Sequence, residues 1–319
     1  MNLTKRLIAA AAAGTLALAA CGTPSTDNTN AAGGSESATA ITVKHAQGSV
    51  ELDGAAERIV VLDHGSLDSL NALGLADKIV GIAKGTRMSD PVKDFADDKY
   101  ENVGTLQEPD FEAIAALEPD LIVAGFRSAK QVPELSKIAP TVDVTFDYKG
   151  GFYEGVKQSA TILAEATGTT DELETQLKEV SDAIAAAKEK VPAGKNAMVL
   201  MTSGGKVSAH GTDSRYAALY DDLGFAPTIS DVEAEAHGDA ISFEAIQQAN
   251  PDVMFVVDRD AAIGEEGAAA KEVLDNELVA STKAWTNDDV VYLDGARWYI
   301  LIHGLDNAVE MMNQVANEL

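Results

Sequence analysis

Two segments of the sequence repeat the same order of residues, and each repeat ends in an arginine. The first block is Phe111-Glu112-Ala113-Ile114, then Pro119-Asp120, an apolar run and Arg127; the second is Phe243-Glu244-Ala245-Ile246, then Pro251-Asp252, an apolar run and Arg259. Each element of the second block lies 132 residues after its counterpart. A guanidinium group is planar and permanently charged, and it binds anions in a directed way. The repeat therefore indicates two matched positions at which an anion could be held.

The pattern around each arginine predicts a helix, a turn and a strand, with the arginine just beyond the carboxyl end of the strand. Similar alternation of β-branched runs and helical patterns extends from residue 41 to the end, and it is typical of α/β folds with mostly parallel sheets. In such sheets, ligands bind outside the carboxyl ends of the strands. We expect two Rossmann-like lobes that face a cleft. The predicted strands are 59–62, 79–82, 121–124, 197–201, 253–257 and 290–293.

One long helix is predicted between the two lobes. Thr169 and Glu172 have the spacing of a capping box, and the chain runs to Val191 without glycine or proline before Pro192-Ala193-Gly194 ends the pattern. About 20 residues of helix span ~30 Å. The predicted organisation is an N-terminal lobe over 41–168, an interlobe helix over 169–191 and a C-terminal lobe over 192–319. A single rigid connection of this kind predicts little hinge bending.

The composition limits the kinds of partner. The net charge is −27, so the chain has no basic surplus with which to bind nucleic acid. Any anionic ligand must instead be held by a local group of basic side chains. A length of 319 residues is enough for two domains.

The N-terminus has the features of an export signal. Lys5 and Arg6 precede an apolar run over 7–17, which is too short to span a membrane. The stretch that ends at Cys21 resembles the bacterial lipobox, in which the cysteine is lipidated and becomes the first mature residue. We therefore expect a signal peptide over 1–20, a disordered tether over 21–40, and a protein anchored by lipid to the cell membrane on its extracytoplasmic side.

From residue 41 onward the sequence resembles the iron–siderophore branch of ABC-importer solute-binding proteins, in particular the subgroup that binds catecholate siderophores. In that group, two α/β lobes are joined by one long helix. The resemblance implies a monomer with no intrinsic cofactor that captures a ferric siderophore and delivers it to an ABC permease and its ATPase. It rests on Arg58-Ile59-Val60-Val61-Leu62, Asn102-Val103-Gly104, Ser214-Arg215-Tyr216, His237-Gly238, Phe255-Val256-Val257-Asp258-Arg259, Leu293-Asp294 and Trp298-Tyr299, together with the repeated blocks.

The resemblance also implies roles for particular residues. Three arginines line the cleft in the subgroup, and the matching positions are Arg127, Arg215 and Arg259. A ferric tris-catecholate has a charge of −3, and each guanidinium at roughly 6 Å contributes about 3 kcal/mol at an effective dielectric constant of 20. We also expect Arg215 to lie near the start of a helix, whose dipole favours anions.

Two further roles are implied for pairs of residues. His237 and Tyr299 match positions that coordinate iron directly when a siderophore supplies only four donors. Glu112 and Glu244 match the glutamates that dock on the permease; helix N-terminal carboxylates that favour the dipole are the alternative interpretation.

Other functions are less consistent with the sequence. It contains no Gly-x-Ser-x-Gly, Gly-x-x-x-x-Gly-Lys or His-Glu-x-x-His motif, so a hydrolytic enzyme is not indicated. Ser203-Gly204-Gly205-Lys206 lacks the phosphate-loop spacing and predicts a turn between strands. Haem or a corrinoid remains an alternative cargo for the same fold, because His237 and Tyr299 could also be haem ligands.

Overall fold

A computed structural model describes residues 40–230, 232 and 237–319, all of which belong to one unit of the fold. The predicted signal peptide, Cys21 and the tether up to residue 39 lie outside the described residues, as do Asp231, Glu233 and Glu235. Within the described ranges, no helix combines the length and the apolar character needed to span a membrane.

The N-terminal half contains a parallel five-stranded sheet. A hairpin of β1 (Ile41–His45) and β2 (Gly48–Leu52), which the sequence patterns did not predict, precedes it. The sheet has the strand order β5-β4-β3-β6-β7, and every pair of neighbours is parallel. Its elements are β3 (Ile59–Val61), α1 (His64–Ala72), β4 (Ile79–Ile82), β5 (Glu101–Asn102), α2 (Phe111–Ala116), β6 (Leu121–Ala124), α3 (Val132–Leu135) and β7 (Thr141–Asp143).

Two consecutive helices, α4 (Phe152–Thr167) and α5 (Thr170–Lys190), take the chain from the first sheet to the second. The 21-residue α5 confirms the predicted long helix. The predicted capping box is wrong, because Thr169 makes no side-chain bond to the helix backbone. Its φ of −111° and ψ of 39° lie outside the extended conformation of most N-caps, and its hydroxyl instead pairs with that of Thr167 at 2.9 Å.

The C-terminal sheet is mixed and has six strands. Its main path is β11-β9-β8-β12-β13, with β10 pairing on β8. The elements are β8 (Asn196–Ser203), β9 (Lys206–His210), β10 (Ala226–Pro227), β11 (Asp239–Ala240), α6 (Phe243–Ala249), β12 (Val253–Asp258), α7 (Arg259–Ile263), α8 (Ala270–Leu274), α9 (Glu277–Ala280), α10 (Lys283–Thr286), β13 (Val290–Leu293) and α11 (Leu305–Glu318).

Strand β12 is parallel to β8 and β13, whereas β9 is antiparallel to both of its neighbours. Gly204 and Gly205 join β8 to β9 with φ of 55° and 72°, as a two-residue hairpin with positive φ at both positions requires. The predicted strand-linking turn is therefore correct.

Alternate residues of the central strands face two different apolar layers, as the period of two in a strand requires. In β3, Ile59 and Val61 join one large apolar cluster that extends through both halves, and Val60 joins a second cluster outside the first sheet. In β12, Phe255 joins the shared cluster and Val256 joins a third cluster outside the second sheet. Both sheets are thus buried on both faces, which explains their nearly continuous apolar strands.

The C-terminal helix α11 returns to the N-terminal half and packs on α5 and α1. Its first turn is capped by side chains of α1, because Gly304 at its N-cap has no side chain to do so. The amide of Leu305 donates to Oγ of Ser69 at 3.2 Å, and that of Asn307 donates to Oδ2 of Asp68 at 3.0 Å. The two halves are therefore joined by this contact as well as by α4 and α5.

Candidate functional site

The repeated blocks fold alike. Asp120 accepts hydrogen bonds from the amides of Glu57 and Arg58 before β3, and Asp252 accepts one from the amide of Asn196 in β8. Each aspartate therefore fixes its own strand beside the neighbouring one. Strands β6 and β12 then place Arg127 and Arg259 beyond their carboxyl ends, as predicted.

The three predicted arginines converge on Tyr299. Nη2 of Arg127 donates to the carbonyl oxygen of Tyr299 at 2.8 Å, and Nη1 of Arg215 donates to the same oxygen at 3.3 Å. Nε of Arg259 donates to the Tyr299 hydroxyl at 3.1 Å. One tyrosine therefore positions guanidinium groups from both halves of the fold.

The same arginines also surround the ring of Tyr299. The Cζ atoms of Arg127, Arg215 and Arg259 lie 5.2, 4.8 and 5.8 Å from its centroid, within the distance at which a cation is attracted to an aromatic face. Tyr299 is only 4 % exposed. The ring of Tyr299 and its backbone carbonyl group offset part of the electrostatic repulsion between the three guanidinium groups.

The repulsion between the guanidinium groups contributes to a lowered pKa of Arg127. Burial lowers the pKa of Arg127, and the nearby charge of Arg215 lowers it further. Arg259 lies within 3.6 Å of Asp260 and 4.0 Å of Glu265, so part of its charge is already balanced. An anion that enters between the three groups would relieve the unfavourable electrostatic energy of the cluster.

The arginines and Tyr299 line a cavity of about 560 Å³ that receives side chains from both halves of the fold. Phe126 and Tyr148 form an aromatic wall together with His303, whose ring stacks on Phe126 at 4.7 Å. Phe126 has a φ of 47°, and its amide donates to Oγ1 of Thr145 at 2.7 Å. The other lining residues are Asp63, Gln107, Thr145, His210, Asp213, Ser214, His237, Ile300 and Ile302.

His237 lies on the cavity wall and is exposed. Its partial burial lowers its pKa, and Arg259 and Arg215 lower it further. The imidazole is therefore neutral at neutral pH, which is the form that can accept a metal ion or a hydrogen bond. Oγ of Ser208 donates to the His237 carbonyl oxygen at 2.6 Å and holds this turn beside β9.

His237 and Tyr299 thus border one cavity, and their predicted role as iron ligands remains a prediction. Across residues 40–230, 232 and 237–319, no three histidine, cysteine, aspartate or glutamate side chains are grouped so that they could hold a metal ion. The three arginines that line the described cavity suit a bound anion better than a bare metal cation.

Arg215 lies just before a short helical segment, near a helix start as expected, but it is held by a turn and not by that helix. Arg215 lies in a turn that is closed by Oγ of Ser214, which donates to the Gly211 carbonyl oxygen at 2.6 Å. The following helical segment, Ala218–Asp222, is a short π-helix. Arg215 is therefore positioned by the turn and by Tyr299, and no α-helix dipole supports an anion there.

The sequence did not predict the buried pair of Asp63 and His303 at the base of the cavity. Nε2 of His303 lies 2.8 Å from Oδ1 of Asp63, and Nδ1 of His303 lies 3.3 Å from Oγ of Ser159. Burial would raise the pKa of Asp63, but His303 and the hydrogen bonds from Ser66 lower it to about 2. In the sequence His303 is followed by Gly304, and neither residue had a predicted role. His64, which also lacked a predicted role, is fully buried, with Nε2 3.3 Å from the Ala83 carbonyl oxygen.

Glu112 and Glu244 occupy equivalent positions. Each is the exposed second residue of its helix, after an N-cap at Asp110 or Ser242 whose side chain bonds to the helix backbone. Since α2 and α6 each run from the carboxyl edge of a sheet back to the next parallel strand, both glutamates lie at the cleft edge of their sheets.

These features define a two-lobed α/β protein with a charged cleft between its sheets, and the chain belongs to the periplasmic binding protein family, whose model matches residues 59–296. It is 36% identical over 305 residues to the petrobactin-binding protein YclQ of Bacillus subtilis, covering 95% of this chain and 94% of that protein. The crystal structure of YclQ matches with a TM-score of 0.83 over 88% of this chain and 98% of that one.

Two further relatives have similar descriptions. The ferric-anguibactin-binding protein FatB of Vibrio anguillarum is 34% identical over 278 residues, or 82% of each chain. The structure of the periplasmic catecholate-siderophore binding protein VctP from Vibrio cholerae has a TM-score of 0.79 and 32% identity, over 87% of this chain and 99% of that one. The predicted fold class and the predicted family are therefore confirmed.

Proposed function

We propose that this protein is the extracytoplasmic solute-binding component of an ABC importer and that it captures a ferric siderophore of the catecholate type. The observation on which the proposal rests is the convergence of Arg127, Arg215 and Arg259 on Tyr299 inside one cavity. The description of VctP as a catecholate-siderophore binding protein names this ligand class.

The arginine cluster fits the charge and shape of such a ligand. A tris-catecholate distributes a charge of −3 over six oxygens around the iron, and three guanidinium groups can approach different oxygens at once. Each unit pair at roughly 6 Å contributes about 3 kcal/mol at an effective dielectric constant of 20, before desolvation. The aromatic wall of Phe126 and Tyr148 offers flat apolar contact to the catechol rings.

Iron chelated by only four donors would leave two positions open. His237 and Tyr299 border the same cavity, and ferric iron accepts phenolate oxygen and imidazole nitrogen. We propose that these two side chains complete the coordination of such a chelate. With a six-donor siderophore they would remain hydrogen-bonding neighbours.

The remaining parts of the proposal concern delivery. We propose that the protein acts as a monomer, that a lipid on Cys21 holds it at the membrane, and that Glu112 and Glu244 dock it on the permease, which works with its ATPase. The exposed, equivalent positions of the two glutamates support docking. Substitution Cys21→Ala is expected to move the protein from the membrane fraction to the soluble fraction, and continued membrane retention would contradict the anchor.

The test is ligand binding by the mature protein, measured through quenching of tryptophan fluorescence by a ferric catecholate, a ferric hydroxamate and haem. The arginines are replaced singly by glutamine, and Arg58→Gln serves as a matched control because Arg58 is an exposed guanidinium remote from the cavity. We expect tight binding of the ferric catecholate and a loss of about tenfold or more for each cavity arginine.

Each result decides between specific alternatives. Unchanged affinity in all three cavity variants would refute the arginine site. A strong Soret band with haem and no response to ferric catecholates would favour haem as the cargo. Absence of binding to every iron chelate would reject the siderophore proposal while leaving the family membership intact.

A further inference from the structure

His210 is a buried histidine on the wall of the cavity. It ends strand β9 and is 2 % exposed. Within residues 40–230, 232 and 237–319, neither of its ring nitrogens has a hydrogen-bond partner. Leaving such a group buried and unpaired costs free energy, so its presence needs an explanation.

The ring is held between two neighbours. Tyr216 contacts it edge to face, with centroids 4.8 Å apart, and the Tyr216 hydroxyl is likewise without a partner among the described residues. On another side lies the turn that contains Gly238, where an added Cβ would come within 2.7 Å of Nε2 of His210. The positive φ of 69° at Gly238 and this close approach both require glycine, so the turn is built to accommodate the histidine ring.

The charge state of His210 suits a hydrogen-bond donor. Burial lowers the pKa of His210 to about 3, with smaller contributions from Arg215 and His237. The neutral ring presents one N–H donor and one acceptor. A donor of this kind adds a directed contact to an anion without adding a fourth positive charge to the cluster.

We propose that His210 is a specificity-determining residue of the cleft, and that its imidazole donates a hydrogen bond to an iron-bound phenolate oxygen of the captured chelate. The inference rests on the proposed function and identifies a residue that neither the repeat nor the family resemblance indicated. The ring lines the cavity, so the hydrogen bond forms when a ligand oxygen comes within reach of one ring nitrogen. Because the site is shielded from water, the hydrogen bond discriminates strongly between oxygen-rich chelates and those without an acceptor at this point.

The test compares His210→Phe, which keeps an aromatic ring beside Tyr216, with His210→Asn, which keeps an N–H donor. His45→Phe is the matched control, since His45 is partly buried in the β1–β2 hairpin outside the cavity. The probe is the ferric tris-catecholate formed with 2,3-dihydroxybenzoate. Both the Kd and the thermal unfolding midpoint of the ligand-free protein are measured.

We expect His210→Phe to weaken binding about tenfold or more, as for loss of a hydrogen bond to a charged group, while the free protein melts at the same or a higher temperature because an unpaired imidazole is gone. His210→Asn is expected to recover part of the affinity. Unchanged affinity in His210→Phe would overturn the inference, as would parallel losses of stability and affinity in both variants. If the wild-type protein binds no ferric chelate, the proposed function and the inference both fail.

Discussion

Tyr299 is the residue on which charged side chains from the two halves of the fold meet. Its carbonyl group accepts bonds from Arg127 and Arg215, and its hydroxyl accepts one from Arg259. The carbonyl group belongs to the backbone, so it can accept the bonds from Arg127 and Arg215 in any variant at position 299. The bond from Arg259 is lost when the hydroxyl is removed. This separation allows the positioning role of Tyr299 to be distinguished from a role as an iron ligand.

Tyr299→Phe is expected to weaken binding of a six-donor ferric catecholate by only a few-fold, because a single neutral acceptor is lost. For a four-donor chelate we expect a larger loss, together with disappearance of part of the visible charge-transfer absorption, if the phenolate completes the iron shell. Titrations with both chelates, followed by visible spectroscopy, measure this difference. Equal losses and unchanged spectra for the two chelates would assign Tyr299 to positioning alone.

Asp63 stabilises the base of the cavity through its charge. Its pKa of about 2 in the folded protein, against an ordinary value of 3.8, means that the folded state favours the ionised carboxylate. This contribution is therefore fully present above pH 4 and is lost as the pH falls from about 4 toward 2.

Asp63→Asn is expected to cost about 2 kcal/mol of unfolding free energy at pH 7, because the lowered pKa of Asp63 stabilises the folded state by about that amount when the carboxylate is ionised. Asparagine also caps helices well, so the cap of α1 is retained and the contact with His303 is what changes. Urea unfolding at pH 7 and pH 3 measures the effect, which should shrink at the lower pH. A variant as stable as the wild type at pH 7 would show that the contact with His303 contributes nothing.

At the scale of elements, the junction between α1 and α11 joins the N-terminal half to the end of the chain. Asp68 caps the first turn of α11, and burial raises its pKa to about 6, offset in part by the hydrogen bond from Asn307. The folded state therefore favours the protonated form. The stability that this protonation contributes is present below pH 4 and is lost as the pH rises through 6.

Asp68→Asn is expected to remove this pH dependence, because an amide oxygen can accept the same bond from Asn307 without a charge. Relative to the wild type, the variant should gain up to about 3 kcal/mol between pH 4 and pH 7.5. Urea unfolding at pH 4.5 and 7.5 tests this, with Ser69→Ala as a control whose loss should not depend on pH. A loss of stability in Asp68→Asn at pH 7.5 would mean that the carboxylate acts mainly by its favourable interaction with the N-terminus of α11.

For the whole molecule, the proposed function requires ligand capture and docking to use different surfaces. Glu112 and Glu244 are exposed at equivalent places on the two halves, and neither lines the cavity. Charge complementarity at the rim of an interface acts mainly on partner recognition. Loss of these carboxylates should therefore leave the arginine site intact.

The double variant Glu112→Ala/Glu244→Ala is expected to bind the ferric catecholate with unchanged Kd and to lose most uptake of radioactive iron by cells that depend on this protein. Glu174→Ala/Glu189→Ala is the matched control, because both residues are exposed on α5. Full uptake by the first double variant would leave the two glutamates as helix N-terminal residues with no docking role.

Local sequence patterns determined much of the architecture. Buried β-branched runs specified the central strands because a strand covered on both faces must be apolar throughout, and the absence of glycine and proline specified α5. The 132-residue repeat predicted where Arg127 and Arg259 follow their strands. The roles proposed for Arg215, His237 and Tyr299 came only from the resemblance to a family, since no local pattern around these residues distinguishes them.

The tertiary structure alone decided how distant residues meet. Tyr299 gathers arginines that are 172, 84 and 40 residues away, and α11 is capped by α1 over 236 residues of chain. Asp63 and His303 pair because two separately patterned halves fold against each other. Local periodicity in the sequence indicates which face of a helix or strand is buried. It does not indicate which residues that face contacts, so these contacts could not be predicted from the sequence.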